Sequence, residues 1–171
     1  NIVTAKGKSG NLAAATQSQQ RLFMTYQQEA MRVLAETSRT FYDPIERLPD
    51  ALREAVASAY LCLRAIDEVE DHPELEGADK ANILQRMSLV LQAQKSVEQF
   101  DYASFNLALA PFQDRLPEVS LRIGEWACHA PEPIAFRIWD VTAAMADRMA
   151  YWAITGWHVV TEADLDRYTF G

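Results

Sequence analysis

Apolar residues recur along this chain at three- and four-residue steps, the period of helices that bury one face. Residues 12–36 place Leu22, Tyr26, Ala30, Val33 and Leu34 on one side. From Pro49 to Asp71 the apolar stripe is Leu52, Val56, Ala59, Leu63 and Ile66, and over 80–99 it is Ile83, Met87, Val90, Leu91 and Val97. Further helices are predicted over 104–115, from the Leu116-Pro117 break to 129 with Leu121, Ile123 and Trp126 in the core, and over 133–154. Thr161-Glu162-Ala163-Asp164 opens a last helix with a capping box in which Asp replaces the usual Glu. Pro44, Leu48-Pro49, His72-Pro73, Gly77 and Pro131-Glu132-Pro133 are the expected interruptions. The reading is all-α: a flexible tail over 1–10, then one domain over 11–171.

Composition narrows this picture. Half of the 171 residues are hydrophobic, enough for a real core. A net charge of −8 excludes a nucleic-acid partner, whose phosphates demand basic surface, and disfavours electrostatic docking on an acidic membrane. No apolar run is long enough to span a bilayer. Cys62 and Cys128 form neither a metal-spaced pair nor a disulfide framework, and are expected to be buried thiols in a reducing cytoplasm. His129 has no sequence partner that suggests catalysis.

Chemistry gathers on a second stripe of the helix that starts near Pro49. Arg53, Ala57, Tyr60, Arg64, Asp67 and Asp71 share one face. Asp67 and Asp71 stand one turn apart, so their carboxylates can converge. They make an all-oxygen donor set, which suits Mg²⁺ and, beside it, a phosphate. Arg64, one turn earlier, can grip that phosphate in bidentate fashion. A solvated acidic helix end has the same spacing. Negative charge at a helix C-terminus opposes the macrodipole, however, and calls for a compensating cation. Ser38, Arg39 and Thr40 suit phosphate as well, although Ser and Thr also punctuate helices.

The segments Thr37-Ser38-Arg39-Thr40-Phe41, Leu48-Pro49, Leu52-Arg53 and Tyr60-Leu61-Cys62-Leu63-Arg64-Ala65-Ile66-Asp67-Glu68-Val69-Glu70-Asp71 together resemble the squalene/phytoene synthase family of head-to-head prenyl synthases. The wording of the last segment is closer to squalene or dehydrosqualene synthases than to phytoene synthases. The resemblance implies an isoprenoid-synthase-type helical bundle around a central cavity. Only the N-terminal part of the family pattern is covered, and no second aspartate-rich motif follows Tyr168. A partner segment carrying the rest, and apolar surface left uncovered without it, are therefore expected.

By the same resemblance, Asp67, Glu70 and Asp71 bind Mg²⁺, and Asp67, Asp71, Arg64 and Tyr168 are catalytic. Ser38 and Arg39 contact diphosphate, while Phe41, Tyr60 and Met145 border the prenyl chain. The family often has Gly where this chain has Ala144, which narrows the pocket. The implied reaction joins two allylic diphosphates, farnesyl diphosphate being the expected one, to a squalene-, dehydrosqualene- or phytoene-type product. Only squalene formation needs NADPH, for which no dinucleotide fingerprint is present. Peripheral contact with a membrane for product release is compatible with a cytoplasmic location. Two alternatives stay open. One is a terpene synthase acting on a single prenyl diphosphate. The other is a non-catalytic binding or assembly homologue, against which the joint retention of Arg64, Asp67, Asp71 and Tyr168 weighs.

Overall fold

Small and apolar residues at helical spacing make one helix the hub of this fold. In a computed structural model, which describes residues 26–156 and 159–170, that helix is α3, Asp50–Glu70. It is preceded by α1, residues 26–37, and α2, Arg39–Glu46. After it come α4, Gly77–Gln92; α5, Tyr102–Leu109, with a 3₁₀ turn at Ala110–Phe112; α6, Glu118–Leu121; and α7, Ile123–Cys128. The long α8, Glu132–Thr155, and α9, Glu162–Phe170, complete the described residues, among which there is no strand. The fold is all-α. The expected tail over 1–10, Leu22, and the residues Trp157 and His158 lie outside the described residues.

Helix α3 packs against α8, α6, α7, α4 and α2, and α4 lies along α8. The buried face of α3 is Ala57, Ser58, Leu61, Cys62, Ala65, Ile66 and Val69. This is rotated from the predicted stripe: Leu52 is 49% exposed, and Val56, Ala59 and Leu63 are only partly buried. Counting only large side chains misplaces the stripe, because α3 uses Ala57 and Ala65 to bring its backbone close to its neighbours. Each fully buried Leu or Ile here contributes roughly 1.5–3 kcal/mol. Two buried hydroxyls join the helices: Ser58 Oγ donates to the Trp126 carbonyl (2.7 Å) and Ser120 Oγ to the Ala65 carbonyl (2.8 Å). The indoles are satisfied too, with Trp126 Nε1 on the Val119 carbonyl and Trp139 Nε1 on the Ala127 carbonyl, both at 2.8 Å.

Several predicted boundaries move for identifiable reasons. Pro44 lies inside α2 rather than breaking the chain, because the carbonyl its missing N–H leaves unpaired belongs to Thr40, which is exposed to water. Helix α4 ends at Gln92, not Gln99, since Gln94 turns into the core. Its Nε2 donates to the Val90 carbonyl (3.0 Å) and its Oε1 accepts from the Asp101 N–H (2.9 Å). Asp101 in turn caps α5, so that helix starts at Tyr102 rather than Ser104. The single helix predicted to reach 129 is two, parted at Arg122. Gly77 begins α4 against α8, where a Cβ would lie 2.3 Å from the Ala153 carbonyl oxygen. The predicted capping box forms: Asp164 N–H donates to Thr161 Oγ1 (3.1 Å) and Thr161 N–H to Asp164 Oδ2 (3.0 Å).

Candidate metal and diphosphate site

The last turns of α3 carry Asp67, Glu70 and Asp71 to a common point. One carboxylate oxygen of each lies within 4.8 Å of the others. Asp71 is the C-cap, its N–H on the Asp67 carbonyl at 2.8 Å. Burial, then a hydrogen bond and charge shared with Asp71, push the Glu70 carboxyl up to about 7. The three groups thus repel one another at a helix end whose dipole is also negative. A hard divalent cation suits this donor set, with three carboxylates and no soft ligand. Part of the compensation is built into the chain, for Lys80 Nζ donates to the Glu70 backbone carbonyl at 2.5 Å.

Arg64 adds a second positive group beside the cluster. Its Nη1 donates to Asp67 Oδ2 at 2.6 Å and its Nη2 to Glu68 Oε1. Its Nε is buried and has no hydrogen-bond partner. Burial works against the guanidinium's charge, but the Glu68 and Asp67 carboxylates outweigh it and keep Arg64 strongly protonated. Glu68 and Lys80 were not singled out in the sequence. The Arg64–Glu68 pair was readable there as an i,i+4 match. Lys80 was not, because it reaches α3 only through the turn at 71–76.

Tyr60, one turn before Arg64, is partly buried, and its ring centroid is 5.2 Å from that of Phe41. Phe41 is 52% exposed. Ser38 separates α1 from α2, with its N–H on the Leu34 carbonyl (2.8 Å), and Arg39, exposed, begins α2. Met145 packs partly buried against the core from α8. Tyr168 falls within α9, and its side chain lies outside the described residues. Trp139 is core, at 1% exposure. Cys62 is buried as expected, with its thiol pushed up to about 12, whereas Cys128 is only half-buried. His129 sits half-buried with its ring centroid 4.9 Å from that of Tyr26.

Fold and site define an all-α protein whose central helix ends in a cation-attracting carboxylate cluster flanked by an arginine. Comparison with known proteins makes this specific: the squalene/phytoene synthase family matches residues 34–169, and the chain belongs to that family. It is 33% identical over 144 residues to the squalene synthase of Schizosaccharomyces pombe, an alignment covering 80% of this chain and 30% of that protein. No solved structure matches the chain. Among the described residues no helix is long and apolar enough to cross a membrane.

Proposed function

We propose that this chain carries the first metal- and diphosphate-binding half of a head-to-head prenyl transferase. Its substrate would be an allylic prenyl diphosphate, farnesyl diphosphate by preference, and its product a squalene-type hydrocarbon formed with loss of pyrophosphate. The observation that carries this reading is the convergence of Asp67, Glu70 and Asp71 one turn beyond Arg64. Family membership and the likeness to a squalene synthase support it.

Asp67, Glu70 and Asp71 would hold Mg²⁺. When bound, the metal neutralises the diphosphate and makes it a better leaving group. Arg64 binds diphosphate oxygens through its forked N–H groups, and Arg39 and Ser38 add a second cation and a hydroxyl. These donors are worth most as negative charge builds on the departing group. Tyr60 and Phe41 present paired aromatic faces, which attract the allylic cation left behind and keep water from it. Tyr168 orients the departing diphosphate. NADPH enters only if the product is squalene itself, and apolar product leaves through contact with a membrane surface.

The test is turnover with Mg²⁺ and farnesyl diphosphate, with and without NADPH, and products identified by mass spectrometry. A linear triterpene with pyrophosphate release, abolished in Asp67→Asn, is the expected result. A cyclic sesquiterpene would replace the head-to-head reading with cyclisation of one diphosphate. Absence of both turnover and Mg²⁺-dependent diphosphate binding would overturn the reading altogether.

A further inference from the structure

Three carboxylates crowd the end of α3, where the helix dipole is negative as well. Asp67 lies a turn inside the helix, whereas Glu70 is its last residue and Asp71 its C-cap. Repulsion among the three therefore favours unwinding of the final turn, which would carry Glu70 and Asp71 away from Asp67. A helix end also leaves its last carbonyls without intrahelical donors. The Glu70 carbonyl is one of these, and Lys80 Nζ donates to it at 2.5 Å. A lysine placed there supplies the missing donor and sets a positive charge against the dipole.

The helix that delivers Lys80 is itself fixed. Helix α4 begins at Gly77, hard against the Ala153 carbonyl of α8, and Lys80 N–H donates to the Glu76 carbonyl at 3.0 Å. The turn between α3 and α4 is pinned from outside. His72 Nε2 donates to the Arg115 carbonyl (2.9 Å), His72 Nδ1 accepts from the Glu74 N–H (3.2 Å), and Arg115 Nη1 donates to Asp79 Oδ2 (2.9 Å). Lys80 thus reaches the end of α3 from an anchored backbone.

Resting on the proposed metal site, we infer that Lys80 is a positioning residue for it: its bond to the Glu70 carbonyl keeps the final turn of α3 wound and so keeps Glu70 and Asp71 beside Asp67. Lys80 touches no ligand. Its two effects on a cation have opposite signs. Its charge repels the cation, while its brace holds the carboxylates that bind it.

That opposition makes the test decisive. Mn²⁺ titration of the chain is read by electron paramagnetic resonance, and amide hydrogen exchange of the metal-free chain by nuclear magnetic resonance. Lys80→Met keeps a long side chain but removes donor and charge. Loss of charge alone demands tighter Mn²⁺ binding. Loss of the brace demands binding weaker by about tenfold, as for other partners that orient metal ligands. It also demands faster exchange of the Asp71 amide, whose bond to the Asp67 carbonyl closes the final turn. Lys80→Gln, shorter and uncharged, should show the same two changes, and both variants are compared at wild-type helix content by circular dichroism. Tighter or unchanged Mn²⁺ binding, or unchanged Asp71 exchange, overturns the inference while leaving the metal site standing. Unchanged Mn²⁺ binding with weakened binding of inorganic pyrophosphate overturns it too, by making Lys80 a ligand contact. Mn²⁺ binding that Asp67→Asn does not impair overturns the metal site itself, and the inference with it.

Discussion

At the scale of single residues, environment decides which groups are chemically available. Asp67 belongs to the converging carboxylates, so Asp67→Asn should weaken Mn²⁺ binding by at least about tenfold, a loss of roughly 1.4 kcal/mol, with the fold unchanged by circular dichroism. The thiols should separate cleanly. Cys62 is fully buried and its thiol is pushed up to about 12, whereas Cys128 is half-buried, so a thiol reagent should label Cys128 first and Cys62 only on unfolding. His129 supplies a pH dependence. Burial lowers it from its ordinary 6.5, the Glu125 charge opposing and the Arg122 charge adding to that effect. The folded state therefore resists its protonation. Stability is full above the unfolded value and falls as the pH descends from there toward the folded one. Urea midpoints between pH 7.5 and 5 should drop more steeply for the wild-type chain than for His129→Phe, and equal slopes would contradict this. Spacing alone put Asp67 and Asp71 one turn apart with Arg64 beside them, a pattern that a solvated acidic helix end shares; the convergence of Glu70 with them is seen in the structure. The partners of Arg64 are also local, Asp67 at i+3 and Glu68 at i+4, whereas Lys80 reaches the Glu70 carbonyl only through the fold.

At the scale of helices, the packing rests on close approach and a few buried polar ties. A Cβ on Gly77 would collide with the Ala153 carbonyl, and backbone cannot rotate away as a side chain can. Gly77→Ala should therefore cost about 1–3 kcal/mol in urea denaturation, despite Ala's better helix propensity. Ser120→Ala should cost about 1 kcal/mol in urea denaturation by removing a buried hydrogen bond that ties α6 to the Ala65 carbonyl of α3. Helix existence was legible almost throughout, because the apolar period is strong. Boundaries were less so: Gln94 anchors the loop before α5, Asp101 caps that helix, and Arg122 divides α6 from α7. Arg122 lies over the Trp126 ring at 4.6 Å and pairs with its near neighbours Glu118 and Glu125 and with the distant Glu29. Of these contacts, local sequence cannot announce the one to Glu29. The buried face of α3 was missed for a related reason: alanines that permit close packing carry little weight in a pattern of large apolar residues.

At the scale of the whole molecule, the all-α class and the family were both readable, the first from periodicity and the second from the Ser38–Phe41 and Tyr60–Asp71 segments. The chain spans 30% of the length of the squalene synthase it matches. Leu89, Leu107, Ile154 and Val160 are each more than 60% exposed. Three carboxylates and an arginine meet at the end of α3, and their proposed role is to bind a cation and a diphosphate. Calorimetric titration of the chain with a non-hydrolysable farnesyl diphosphate analogue, with and without Mg²⁺, beside Asp67→Asn, tests that role directly. Binding should require Mg²⁺ and be lost in the variant. Binding of equal affinity without Mg²⁺, or untouched by Asp67→Asn, would contradict it.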